Sequence, residues 1–186
     1  MIRLTKAPFV FATCLFFLST ACSETKNRLP ETYTIPNGYI GSFIIFYNIS
    51  GAKTKKNNDT LVYDIPNTGI LLTESDSNEG WVDTENLKYY YRHPNGDLIE
   101  IKERWTTSVI DTLENRTENK ITIFGGGIGV IKPRVLKPTN NTRCELTYSS
   151  FYVGTKKDIL DGVNYIDLLE IPNKDLMAYC ERLVKT

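Results

Sequence analysis

The chain has 186 residues, enough for one domain plus a leader, and 41% of them are apolar, which excludes a disordered chain. Lys plus Arg equals Asp plus Glu at 22 each, so no basic surplus draws in phosphate backbones and nucleic acid is disfavoured as a partner. Eleven Tyr and eight Phe favour half-buried pleated surfaces and point to a β-rich body.

The first element is a leader. Arg3 and Lys6 precede Ala7–Leu18, which is apolar apart from Thr13. A short basic region, a short apolar core and small residues after it make a secretory signal, and the run is too short to span a ~30 Å hydrocarbon layer. Ser19-Thr20-Ala21 leads directly into Cys22. This resembles the lipobox of bacterial lipoproteins, in which the cysteine is lipidated and the leader is cut just before it. The pattern prefers an aliphatic residue three positions before the cysteine; here that place is Ser19, with Leu18 one step further out. Residues 1–21 are therefore expected as a lipoprotein signal peptide and Cys22 as a lipid-bearing N-terminus, because stable attachment needs more than one acyl chain. Loss of the leader removes Arg3 and Lys6 and no acid, leaving a slightly acidic remainder.

Residues 22–32 are expected as a polar tether and 33–186 as a single β-rich domain. Tyr39–Ile49 is a β-branched and aromatic run of strand type. Gly51–Asp59 reads as a polar loop, Thr60–Ile65 as a strand, Pro66-Asn67-Thr68-Gly69 as a turn, and Ile70–Thr73 as another strand. Glu74–Gly80 reads as an acidic loop. Leu87–Arg92 and Leu98–Ile101 flank Pro94-Asn95-Gly96-Asp97, where Asn-Gly marks a hairpin because both residues tolerate positive φ. Trp105–Leu113 is a further strand candidate. Ile121–Phe124 reads as a strand running into Gly125-Gly126-Gly127-Ile128-Gly129, and Arg143–Val153 as a long strand. Lys156–Leu160 suggests a helical turn. Asn173 can cap a final helix, about 173–185, whose apolar stripe holds Leu176, Tyr179, Cys180, Leu183 and Val184 at helical spacing. The expected fold is mainly β: a small antiparallel β-sandwich-like domain with a C-terminal α-helix.

Cys14 leaves with the leader and Cys22 carries lipid, so Cys144 and Cys180 remain as an even pair in an oxidising compartment. A disulfide between them is expected; two buried thiols acting as small hydrophobes is the alternative.

Tyr33-Thr34-Ile35-Pro36-Asn37-Gly38-Tyr39-Ile40-Gly41, then Tyr63-Asp64-Ile65-Pro66-Asn67-Thr68-Gly69-Ile70-Leu71-Leu72-Thr73, then Asn78-Glu79-Gly80-Trp81, and then Phe151-Tyr152-Val153-Gly154-Thr155 occur in that order. This order resembles a domain family of bacterial secreted and lipoprotein-type proteins. Its members carry Ile-Pro-x-Gly-Tyr-x-Gly, Tyr-x-Ile-Pro-x-x-Gly-Ile-Leu-x-Thr and Phe-x-Val-Gly-Thr segments. The resemblance covers roughly Tyr33 to Leu160 and implies no particular activity. Pro36 and Pro66 suit strand ends, and Gly38, Gly41 and Gly69 suit turns.

Catalytic groups are sparse. His93 is the single histidine. It precedes Pro94 at a turn, and an exposed turn residue is its favoured reading over a catalytic base. The glycine run lacks the Lys and Ser/Thr of a phosphate loop, so a flexible hairpin or a close backbone crossing is expected there. Glu74, Asp76, Asn78, Glu79 and Asp83 offer oxygens to Ca²⁺, but their order does not match a twelve-residue calcium loop. No catalytic residue, cofactor or metal site is assigned. Trp81, Tyr89, Tyr90, Tyr91 and Trp105 suit either core packing, the favoured reading, or a binding surface, for which Trp81, Tyr89 and Tyr91 are the candidates. The expected function is a non-enzymatic binding or assembly module at the bacterial cell envelope. Its partners are the lipid bilayer, through the Cys22 anchor, and an envelope protein or glycan. The alternative is an envelope hydrolase of glycan or peptide working through Glu74, Asp76 or Glu79.

Overall fold

The computed structural model describes residues 29–77, 86–102, 104–105, 119–133 and 144–183. The segment expected as a signal peptide, Cys22, Asn78, Glu79, Trp81, Asp83 and most of the Trp105–Leu113 strand candidate lie outside the described residues.

Among the described residues ten strands form two five-stranded sheets. The first holds β3 (Lys55–Asn57), β4 (Thr60–Asp64), β1 (Glu31–Pro36), β6 (Leu87–Arg92) and β7 (Leu98–Glu100), in that order. The second holds β5 (Ile70–Leu72), β2 (Gly41–Phe46), β10 (Leu146–Gly154), β9 (Thr122–Ile131) and β8 (Arg104–Trp105). Two helices follow, α1 (Lys156–Leu160) and α2 (Asn173–Glu181). The mainly β architecture with a C-terminal helix is the one expected, but strand direction is mixed. β1 runs parallel to both β4 and β6, β2 to β5, and β8 to β9. The cause is that the chain changes sheets at its tight turns. Tyr39 N–H donates to the Pro36 carbonyl and Gly69 N–H to that of Pro66, both at 3.0 Å, at the crossings β1 to β2 and β4 to β5. β6, reached from β4 by one pass through β5 of the second sheet, comes back in the direction of β4 and β1, whereas β4 follows β3 through an antiparallel hairpin.

The core lies between the sheets. Tyr33 and Ile35 of β1 meet Phe43 and Ile45 of β2, Tyr63 of β4, Tyr89 of β6 and Phe151 of β10. Tyr33 stacks on Tyr89 with centroids 4.7 Å apart, and Phe43 on Phe151 at 4.9 Å. Each such side chain contributes about 1.5–3 kcal/mol by leaving water. A second apolar layer forms on the opposite face of β2: Ile44 and Phe46 pack with Leu146, Ile171 and Leu176. Every residue of β2 is therefore buried, with sheet on one side and helix on the other, and its continuous apolar sequence follows from that.

Four local outcomes differ from the sequence reading. β1 starts at Glu31, inside the segment expected as tether, and Glu31 is itself buried. Lys55–Asn57 is an exposed edge strand rather than loop. The glycine run is the middle of β9, not a flexible hairpin. It is a close crossing all the same: a Cβ on Gly129 would lie 2.6 Å from the Tyr148 ring, and one on Gly126 2.9 Å from the Phe151 ring. Finally, Asn173 does not cap α2. Pro172 holds that position without a side-chain hydrogen bond, because Asn173 already has helical backbone. In α1, by contrast, Thr155 accepts from Asp158 N–H while the Asp158 carboxyl accepts from Thr155 N–H, a reciprocal cap.

The disulfide is present. Cys144, just before β10, joins Cys180 on α2 with Cα atoms 5.9 Å apart, inside the normal range for the bond. It clamps the helix over the second sheet, as does the Ile49–Leu183 bridge beyond the helix.

Candidate functional site

Among the described residues, chemistry-bearing side chains collect in two places. The first is interior. Glu31, Tyr33 and Ile35 alternate on the inward face of β1, which carries a carboxyl group into the core. The Tyr33 hydroxyl donates to Glu31 Oε2 at 2.5 Å. Tyr47, just past β2, donates to Ser149 Oγ of β10 at 3.0 Å. Tyr63 lies 3.3 Å from Ser75 Oγ, which joins Thr73 Oγ1 at 2.8 Å. Burial pushes the Tyr33, Tyr47 and Tyr63 hydroxyls well above the ordinary phenol range, since a phenolate loses its hydration there, and the Glu31 carboxyl adds to the rise in all three. These phenols stay neutral at physiological pH. Tyr33 is only 2% exposed, so the cluster supports the fold and is closed to a substrate.

The second is the end of the sandwich where the turns Pro36–Tyr39 and Pro66–Gly69 meet the start of α1. The three sequence motifs converge there. Tyr39 donates its hydroxyl to the Ser42 carbonyl. Tyr91 donates to the Tyr39 carbonyl at 2.9 Å, and Tyr152 to the Val163 carbonyl at 2.8 Å. Burial raises Tyr91 to about 12, with the Asp158 carboxylate adding to it. A Cβ on Gly69 would lie 2.5 Å from the Tyr39 hydroxyl, and one on Gly41 2.7 Å from Asn164. The motifs thus build a joint between the sheets, and their polar atoms are used within it.

The candidate residues named from sequence are not brought together. Tyr89 is 3% exposed and stacked in the core, and Tyr91 packs against that core with its hydroxyl engaged. The binding-surface reading of Tyr89 is therefore corrected to core packing, while Tyr91 is partly buried against the same core. Their inward face of β6 is the one that meets the second sheet. Trp81, the third of that set, lies outside the described residues. His93 sits in the β6–β7 hairpin, its N–H donating to the Asp97 carbonyl at 2.9 Å. Glu74 and Asp76 are solvent-exposed on one loop. Among the described residues no three His, Cys, Asp or Glu side chains are grouped to hold a metal ion. The Glu31–tyrosine cluster is not among the sequence candidates; the alternation Glu31, Tyr33, Ile35 is the signal that carries it.

No curated protein matches this chain. One similar solved structure is a candidate lipoprotein from Bacillus anthracis at 2.75 Å, 21% identical, covering 85% of this chain and 99% of its own, with a TM-score of 0.48. A family model described as a family of unknown function (DUF6843) matches residues 27–158, a span that contains the three motifs. The chain belongs to that family of unknown function, DUF6843.

Proposed function

We propose that this protein is a lipid-anchored lipoprotein of the bacterial cell envelope that works as a non-enzymatic binding or assembly module. The observation that carries the reading is the run from basic residues through Ala7–Leu18 and Ser19-Thr20-Ala21 into Cys22, the plan of a secreted, acylated chain. The short distance in sequence from Cys22 to Glu31, the first residue of β1, suits a folded body held close behind such an anchor. The disulfide between Cys144 and Cys180 suits an oxidising compartment. Binding is favoured over hydrolysis because general acid–base work needs paired groups held apart in pKa within a cleft. Glu74 and Asp76 instead lie in the open on one loop.

Metabolic labelling with a fatty acid tests the anchor. The wild type takes label and Cys22→Ala does not; equal label in both would sink the lipidation. For the binding role, the purified domain is expected to leave envelope glycans and peptides unchanged. Turnover abolished by Glu79→Gln would replace it with the hydrolase reading.

A further inference from the structure

The segment from Asp161 to Ile171, between α1 and α2, lies beyond the span matched by the family. It has no regular structure, yet its backbone is fixed. Val163 N–H donates to the Asp158 carbonyl at 3.0 Å and Ser42 N–H to that of Asn164 at 3.1 Å. The Asn164 side chain donates to the Ile40 carbonyl at 2.8 Å, and Leu169 N–H to Asp167 Oδ1 at 2.8 Å. Ile166 and Leu168 turn inward onto the second apolar layer. Against that, Val163, Tyr165 and Leu169 are 37%, 62% and 87% exposed. One exposed leucine needs no explanation. Three large apolar side chains are exposed within seven residues of a loop whose backbone is already pinned, so covering them costs little further ordering.

Charge selects what covers it. Between Lys157 and Lys174 the chain carries Asp158, Asp161, Asp167 and Glu170 and no basic residue. Asp158 is engaged in the α1 cap and Asp161 pairs with Lys157 at 2.5 Å. Asp167 and Glu170 bracket Leu168 and Leu169. An anionic lipid surface is repelled by such a loop, whereas Lys and Arg are attracted. Position agrees. Asn164 is tied to Ile40 and Ser42, beyond the end of β1 opposite Glu31, its first residue and the one nearest Cys22 in sequence. β1 alone separates the two ends by roughly 20 Å at strand rise.

We propose that this loop docks a protein partner that offers an apolar pocket rimmed by Lys or Arg, with Tyr165 and Leu169 as the anchors. The inference rests on the binding-module reading above. It is tested in the full-length chain in its native envelope, with photoreactive benzoylphenylalanine in place of Tyr165, and in a second strain in place of Leu98 on the β7 edge. Irradiation is expected to give one discrete protein adduct from position 165, whose crosslinked peptide is net basic. Leu169→Ser and Glu170→Lys should each lower its yield about tenfold, the equivalent of one interface anchor, while thermal unfolding of the Leu169→Ser domain stays unchanged because that side chain is exposed. A lipid adduct, a self-adduct, an acidic or neutral crosslinked peptide, or a yield insensitive to both substitutions overturns the proposal. Adducts from position 98 alone overturn this surface and leave the binding module standing; none from either position removes both.

Discussion

The Tyr33 hydroxyl and the Glu31 carboxyl, two residues apart on the inward face of one strand, are joined at 2.5 Å inside the core. Glu31→Ala leaves the buried phenol without that acceptor, which costs about 1–3 kcal/mol. Urea unfolding should show that loss. Adding Tyr33→Phe to Glu31→Ala should restore part of it, because the orphaned group is then gone. Strict additivity of the two substitutions would show that the pair is not coupled.

Two glycines of the motif joint separate space from conformation. Gly38 and Gly69 have nearly equal positive φ, 72° and 75°. A Cβ on Gly38 meets nothing within 4 Å, whereas one on Gly69 lies 2.7 Å from the backbone carbonyl of Ser42. Gly38→Ala is expected to cost about 1 kcal/mol, the conformational penalty alone. Gly69→Ala should cost about 3 kcal/mol, since backbone must also move. Similar costs at both sites, measured by chemical denaturation, would mean that the joint yields.

The Cys144–Cys180 bond closes a loop with a sequence separation of 36. The chain-entropy model gives about 3–4 kcal/mol for a loop of that size. The Cys144→Ser, Cys180→Ser double variant should lose about that much, and a reductant should destabilise the wild type by a similar amount while leaving the variant untouched. Protease cleavage after α2 in reduced protein would show that the helix depends on its clamp.

Alkaline pH should act through the tyrosines. Burial raises Tyr33, Tyr47, Tyr63, Tyr91 and Tyr152 above the phenol value of 10.0. For a group whose folded pKa is raised, the stabilisation is complete below the unfolded pKa and is lost as pH climbs toward the folded one. Stability should therefore be insensitive to these groups below about pH 10 and fall steeply above it. Phenolate absorbance should lag in the native protein and then jump with unfolding. Smooth titration of all eleven tyrosines near pH 10 would contradict the buried cluster.

Much of this architecture is legible in the sequence where one physical cause dominates. The apolar run around β2, the Asn95-Gly96 hairpin and the even cysteine pair each speak for one structure. The failures fall where two causes compete. Glu31 reads as tether because it ends the polar stretch that begins at Ser23, and the hydroxyl of Tyr33 donating to it helps to make its burial tolerable. Lys55 and Lys56 read as loop because charge blunts an edge strand against unwanted pairing. The glycines of β9 read as a break because glycine weakens strands, yet the Tyr148 and Phe151 rings fill the space that side chains would take. Parallel pairing is hidden because it depends on which sheet each turn leads into. The exposure of Tyr165 and Leu169 carries no periodic signal at all, since it belongs to a loop.

β2 has no face toward water, and its backbone bonds on both sides, to β5 and to β10. Its amide protons meet solvent only when the two sheets and the disulfide-clamped helix part together. Deuterium uptake at Phe43 through Phe46 thus reports the free energy of opening the whole domain, while uptake at the exposed strands β3 and β7 reports local fraying. One strand serves as an internal gauge of global stability, against which loosening at any other position can be measured in a single experiment.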